Sequence, residues 1–276
     1  MNPHPAPGGD APRVDIRPLA TLDEYAACVA LQEETWGAGF SERVPTAILK
    51  VSQRIGGVTA GAFDPDGRML GFVFGMTGVE RGDLVHWSDM LAVRPELHNL
   101  GLGRRLKHYQ RDACEGIGVR RMYWTFDPLV ARNAHFNFNR LGVYAVEYVE
   151  NMYGPNTASR LHRGVGTDRF VVAWPVTEPA PRHLLGHRAA DAATGAPLLN
   201  DLDGGHPPEG ARTVRVEVPC DIAAVQARST DEAAEWRRVT RQAFRAAEQS
   251  GFVVAGFFRE GDRCFYALTR SGPQPR

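Results

Sequence analysis

Between positions 90 and 107 the chain reads MLAVRPELHNLGLGRRLK, and no other stretch narrows the possible architecture as far. An apolar alternation closed by Pro95 reads as a strand, a short loop follows, and Gly101-Leu102-Gly103 opens a helical period. The first turn of a helix has backbone N–H groups without intrahelical acceptors, and glycines let another group come close, so such a loop forms an anion site. Arg104 and Arg105 stand in that first turn, where the helix dipole disfavours cations, and a bound phosphate would account for them. A purely structural turn is the competing explanation. A dinucleotide fingerprint would need Gly or Ala where Leu106 stands, and the P-loop pattern GxxxxGK[ST] occurs nowhere in the chain.

The surrounding pattern predicts a strand over 14–18, a helix to Trp36 opened by Thr21 and Glu24 at capping-box spacing, and a second helix over 45–54. Asp64-Pro65-Asp66-Gly67 is turn chemistry between apolar runs at 59–63 and 69–77, which predicts a hairpin. A strand over 84–93 follows, then a helix over 101–115 whose apolar stripe is Leu102, Leu106, Tyr109 and Ala113. A strand over 121–126, a helix over 131–141 and strands over 143–149 and 168–174 complete the unit. The expected fold class is α/β, a mixed sheet with helices on both faces.

At 276 residues the chain exceeds one average domain, and its second part has a different texture. Four segments are expected: a disordered tail over 1–12, a catalytic-type domain over 13–176, a Pro- and Gly-rich linker over 177–211, and a strand–helix–hairpin α+β module over 212–271. In that module Ser229 and Glu232 cap a long helix, and Arg259 to Asp262 turn a hairpin. Some sixty residues are marginal alone, so the module is expected to pack on the first domain or on a second subunit, which keeps a homodimer among the expectations. A formal net charge of +0 argues against a nucleic-acid partner or an anionic membrane read by bulk charge. No apolar run approaches a spanning helix and the N-terminus lacks signal-peptide architecture, so a cytoplasmic location is expected. Cys28, Cys114, Cys220 and Cys264 are too sparse for a disulfide scaffold and show no zinc spacing; the two within helical patterns read as buried free thiols. His183 and His187 are four apart but lie in the linker without a carboxylate motif, so no metal is expected.

Two motifs carry a family resemblance. The strand Leu91-Ala92-Val93-Arg94-Pro95 and the loop His98-Asn99-Leu100-Gly101-Leu102-Gly103 resemble motif A of the GNAT N-acyltransferase superfamily, R/Q-x-x-G-x-G/A after a strand LxVxP; His98 replaces the usual Arg or Gln. Downstream, Asn133 to Gly142 is similar to the family's NxxAxxxY…LGF helix, with Phe138 at the tyrosine position and Asn133 displaced by two residues from the usual asparagine. The resemblance covers residues 14–176. Residues 124–129 and 148–154 further resemble a bacterial branch of GNAT acyltransferases with a C-terminal extension, some of it associated with acylated amino acids.

The resemblance implies an acyl-CoA cosubstrate, acetyl- or succinyl-CoA, and transfer to the amine of a small molecule, with an amino acid as one candidate. Cofactor contacts are then expected from Leu91, Ala92, Val93, His98, Asn99, Leu100, Gly101, Leu102, Gly103, Arg104, Asn133 and Phe138. Direct attack of an amine needs a base, and Asp89 is the first candidate and His86 the second. Alternation places Asp89, Leu91 and Val93 on one face if the strand is regular. With phenylalanine at 138, the acid for the departing thiolate would come from Tyr144, Tyr148 or Tyr153, or the thiolate leaves unaided. Glu150, Asn151 and Tyr153 are alternatives for shaping the acceptor pocket. The rival is a non-catalytic domain of the same fold that binds acyl-CoA as a sensor or assembles with a partner.

Overall fold

The computed structural model describes residues 14–154, 165–181, 184 and 188–270. The expected tail and the His183/His187 pair lie outside the described residues. The chain begins with strand β1 (Asp15–Pro18) and helices α1 (Leu22–Trp36) and α2 (Thr46–Arg54). Thr21 caps α1 as its spacing predicted: its hydroxyl accepts from the Glu24 amide at 3.2 Å, and the Glu24 carboxylate accepts from the Thr21 amide at 3.2 Å. Strands β2 (Val58–Phe63), β3 (Met69–Glu80) and β4 (Asp83–Val93) run antiparallel in succession. Asp64 fixes the β2–β3 turn by accepting from the amides of Asp66 and Arg68 at 3.1 and 2.8 Å.

Helix α3 (Leu102–Gly116) leads to β5 (Arg121–Phe126) and to α4 (Ala131–Ala134), which runs on as a π-helical turn over His135–Leu141. Strands β6 (Tyr144–Val149) and β7 (Arg169–Pro175) close the sheet, whose order is β1-β2-β3-β4-β5-β7-β6. The β4–β5 pair is parallel and every other neighbouring pair in this sheet is antiparallel. The sheet is covered on both faces. Phe63, Phe72 and Phe74 pack with Tyr25, Cys28, Leu31 and Leu49 of α1 and α2, while Ala60, Ala62 and Val73 pack with Leu102, Leu106 and Cys114 of α3. The buried stripe of α3 is Leu102, Leu106, Lys107, Gln110 and Cys114. Ala113, expected inside, is exposed, because the buried face centres on Leu106 and Gln110.

Between the two sheets, residues 188–211 carry the short helix α5 (Ala189–Ala193) and two 3₁₀ turns, and Leu198 bridges to Arg215. Strand β8 (Thr213–Val218), helices α6 (Ile222–Arg228) and α7 (Thr230–Gln249), and strands β9 (Phe252–Glu260) and β10 (Arg263–Arg270) follow. The sequence pattern missed α6, which Asp221 opens by accepting from the Ala224 amide at 3.0 Å. The second sheet has the order β8-β10-β9, and its apolar face joins the α3-side core. Phe244 and Tyr266 pack their rings on Phe170 at 4.9 and 5.4 Å. Arg237 and Arg241 of α7 reach Asp127 and Asp168 at 2.6 and 2.7 Å. Cys220 and Cys264 form a disulfide that their sparse spacing did not suggest: β8 and β10 are neighbours, which brings residues 44 apart in sequence to a Cα separation of 5.5 Å. Cys28 and Cys114 are free and buried, as expected. Among the described residues no helix is long and apolar enough to cross a membrane, and no metal-ligating cluster is found.

Candidate active site

Strands β4 and β5 pair only over Val85↔Arg121, His86↔Met122 and Trp87↔Tyr123. Both continue, to Val93 and to Phe126, so they part beyond Trp87 and Tyr123. A bulge sits at the point of parting: β3 pairs Gly75 with Ser88 and Phe74 with Met90, so Asp89 is the extra residue. This overturns the regular alternation. His86 and Ser88 face α3, whereas beyond the bulge Leu91 and Val93 pack on the α3-side core and Met90 and Ala92 on the α1/α2-side core. Asp89 therefore does not share a face with Leu91 and Val93; it interacts with Trp87 and with Glu42 of the α1–α2 connection. Its side chain meets solvent, yet the protein around it desolvates the carboxyl, and this desolvation with the charge of Glu42 raises its pKa against the opposing Trp87 hydrogen bond.

On the other side of the parting, Thr125 follows Tyr123 on the same face of β5. Its hydroxyl is 3.0 Å from the Tyr153 hydroxyl. Where the strands part, β4 thus carries a carboxyl at its bulge, and an exposed phenol lies over β5. Tyr144 and Tyr148, the other acid candidates, are placed differently. Tyr148 is buried and donates to Asp168 at 2.5 Å, and burial raises the phenol pKa of both. Glu150 and Asn151 are held by α7, Glu150 at 2.5 Å from Arg245 and Asn151 at 3.4 Å from Arg241.

Past β4, Pro95–Leu97 forms a 3₁₀ turn, and Asn99 (φ 66°) and Gly101 (φ 80°) adopt left-handed conformations that aim the chain into α3. No side chain caps α3. Its first paired amide is that of Arg105, to the Gly101 carbonyl at 3.1 Å; the N–H groups of Gly101, Leu102, Gly103 and Arg104 find no acceptor among the described residues. Leu100 is 64% exposed beside them. Arg104 and Arg105 contact His108 and the Val14 carbonyl and make no ion pair among the described residues, so two cations stand unneutralised at the positive end of the helix. A Cβ at Gly103 would meet only Leu91 and Val93, at 3.6 and 3.8 Å, which is ordinary contact. Gly101 is required by its backbone, Gly103 by nothing in the protein.

Three expected site residues are corrected. His86 is fully buried, with its ring nitrogens 3.0 Å from Thr77 Oγ1 and from Gln110 Nε2; burial and the nearby Lys107 hold its pKa down to about 3, so it meets no substrate. Phe138 packs edge-on against Phe126 and Tyr266, because the C-terminal sheet covers the π-helical turn and makes it core. His98 turns back on its own chain, its Nε2 2.9 Å from the Val93 carbonyl, so the Arg/Gln-type contact is not preformed. Asn133 is half-buried at the start of the same helical segment.

No family model and no curated protein matches the sequence. Among solved structures the chain is similar to the ribosomal-protein-S18-alanine N-acetyltransferase of Escherichia coli, with 19% identity over 62% of this chain and 98% of that one and a TM-score of 0.46. It is similar to a GNAT-family acetyltransferase of Streptococcus pneumoniae, with 16% identity over 59% and 100% of the two chains and a TM-score of 0.47. A chain of the NatC complex bound to Gag peptide and CoA gives 15% identity over 59% and 99%, with a TM-score of 0.48. The observed strand order, with α3 and its glycine loop following β4 and helices on both faces, is the mixed α/β fold that the sequence pattern predicted.

Proposed function

We propose that the chain is a CoA-dependent N-acyltransferase that moves an acetyl or succinyl group to the amine of a small molecule, an amino acid being one candidate acceptor. The observation that carries this reading is the row of four amides, Gly101 to Arg104, that find no acceptor among the described residues, beside two arginines that make no ion pair among them, at the head of the helix that follows β4, the strand that parts from β5. Those amides would hold the diphosphate, and the thioester arm would run along the β4 edge that has lost its strand partner. Backbone N–H groups of Leu91 to Val93 on that edge would steady the oxyanion. Asp89 would take the proton of the incoming ammonium, and its raised pKa strengthens it as a base near neutrality. Tyr153 would protonate the departing thiolate or leave it unassisted. Cytoplasmic location and a homodimer stay part of the proposal.

A second reading, an acyl-CoA-binding module without turnover, is favoured by one observation: Phe138 stands in the core where the resemblance places a tyrosine acid. Calorimetric titration with CoA, acetyl-CoA and succinyl-CoA, paired with release of free thiol against a panel of amines, separates the two. Binding with turnover supports the enzyme, binding without turnover the sensor, and no binding removes both.

A further inference from the structure

The α3 side of the β4–β5 junction holds a cation that the proposed chemistry leaves unused. Of 32 basic residues only Lys50 and Lys107 are lysines, and Lys107 is 4% exposed. The buried arginines 169 and 237 each have Asp127 within 4 Å; Lys107 has no carboxylate partner among the described residues. Its ammonium donates to Ser88 Oγ at 2.7 Å and stands 3.7 Å from the centre of the Trp124 ring. Ser88 is the first β4 residue beyond the paired register, and Trp124 the first of β5. Lys107 therefore grips both strands where they separate.

The grip is built, not incidental. Ser88 donates to Gln110 Oε1 at 2.7 Å, and the Gln110 amide lies 3.0 Å from His86 Nε2. His86 Nδ1 is 3.0 Å from Thr77 Oγ1, which donates to the Gly56 carbonyl at 2.7 Å. Thr77 spends its proton on Gly56, so His86 must donate from Nδ1 and accept at Nε2, and every link then runs in one direction away from Lys107. On the other strand, the Trp124 indole donates to Asn137 at 3.0 Å, which fixes the ring under the ammonium. Gly75 admits the chain, since a Cβ there would lie 2.2 Å from His86 Nε2.

We infer that Lys107 is a positioning residue for acyl transfer: it sets the separation of β4 and β5 and places an uncompensated positive charge beside the gap, where the thioester oxygen and the departing thiolate become negative. This rests on the acyltransferase reading above. An arginine would hold its charge at every working pH, whereas burial lowers the Lys107 pKa to about 7. The titratable groups facing it are His86 on β4 and Cys114 on α3; burial holds the first down to about 3 and the second up to about 12, so both are neutral around pH 7. Ser88, Gln110 and Trp124 complete its surroundings and carry no charge. Turnover should accordingly fall as pH rises through the Lys107 transition.

The test compares wild type with Lys107→Met and Lys107→Arg. Calorimetric Kd for CoA should stay within about threefold, while kcat of Lys107→Met falls roughly tenfold and its alkaline limb disappears. Lys107→Arg should retain turnover with the limb abolished. Unchanged kcat and pH profile in Lys107→Met overturn the proposal. A wild type that binds no CoA and releases no thiol overturns the acyltransferase reading and this step with it. The indole NMR signal of Trp124, assigned with Trp124→Phe, gives a readout free of turnover: it should titrate near pH 7 in wild type, and a flat signal refutes the placement of the charge even if both Lys107 variants fail to fold.

Discussion

The glycine pair at the head of α3 offers a test in which stability and binding must move apart. Gly103 has an ordinary helical backbone and open room for a methyl group, with Leu91 and Val93 at 3.6 and 3.8 Å. Replacing it with alanine removes backbone freedom from the unfolded chain and should stabilise the ligand-free protein by about 0.5–1 kcal/mol. For a chain of this size that raises Tm by about 1–3 °C. Gly101 sits at φ 80°, where a Cβ is strained although nothing crowds it, so Gly101→Ala should cost about 1–2 kcal/mol. Alanine at 103 should leave CoA affinity close to wild type, since the motif that this loop resembles admits it. Gly103→Trp fills the approach to the amides; losing even one charge-assisted hydrogen bond is worth about 1.5–3 kcal/mol, which weakens CoA binding by about ten- to a hundredfold. Urea melts of the free proteins and calorimetric titration with CoA read the two effects separately. A destabilised Gly103→Ala would show that the fold, not a ligand, demands the glycine, and undiminished CoA affinity in Gly103→Trp would refute the diphosphate assignment.

Other outcomes follow from the same geometry. Asp89→Asn should depress kcat far more than CoA affinity; the wild-type rate should fall as pH drops through the raised Asp89 pKa, and retention of that acid limb in Asp89→Asn would dismiss it as the base. Folded His86 resists protonation down to about pH 3 while the unfolded chain takes a proton below about pH 6.5. Stability is therefore full above 6.5 and lost on acidification toward 3, by on the order of 5 kcal/mol, and urea melts at several pH values should show that loss reduced in His86→Gln. Reducing the Cys220–Cys264 bond reopens a loop spanning 44 residues, for which chain entropy gives about 4 kcal/mol; a thermal melt unaffected by reductant would contradict that role.

Elements governed by neighbours in sequence were legible. The capping box at Thr21, the Asp64 turn and the strand at Arg121–Phe126 depend on contacts within a few residues, and they stand as the pattern predicts. The glycine turn into α3 was legible for the same reason, because glycines before a helical period fix the backbone at the helix start. Lys107 carried a faint signal, a lysine among thirty arginines, but its significance depends on Ser88 and Trp124, which only the folded sheet brings to it. The sequence stripe on α3 pointed to Ala113, and packing against β2, β3 and β4 turned the buried face toward Gln110 instead.

The sequence alone determined the order of the elements through Pro175, the mixed sheet and the position of the glycine turn before α3, since turn chemistry, capping and periodicity act locally along the chain. Tertiary structure decided which side chains can reach a substrate. One inserted residue at Asp89 exchanges the faces of β4, a docked second sheet turns Phe138 into core, and closure of α3 over the sheet seals His86 away. Each of these outcomes depends on contacts between residues distant in the chain, and alternation cannot register a bulge, a docked sheet or a covering helix.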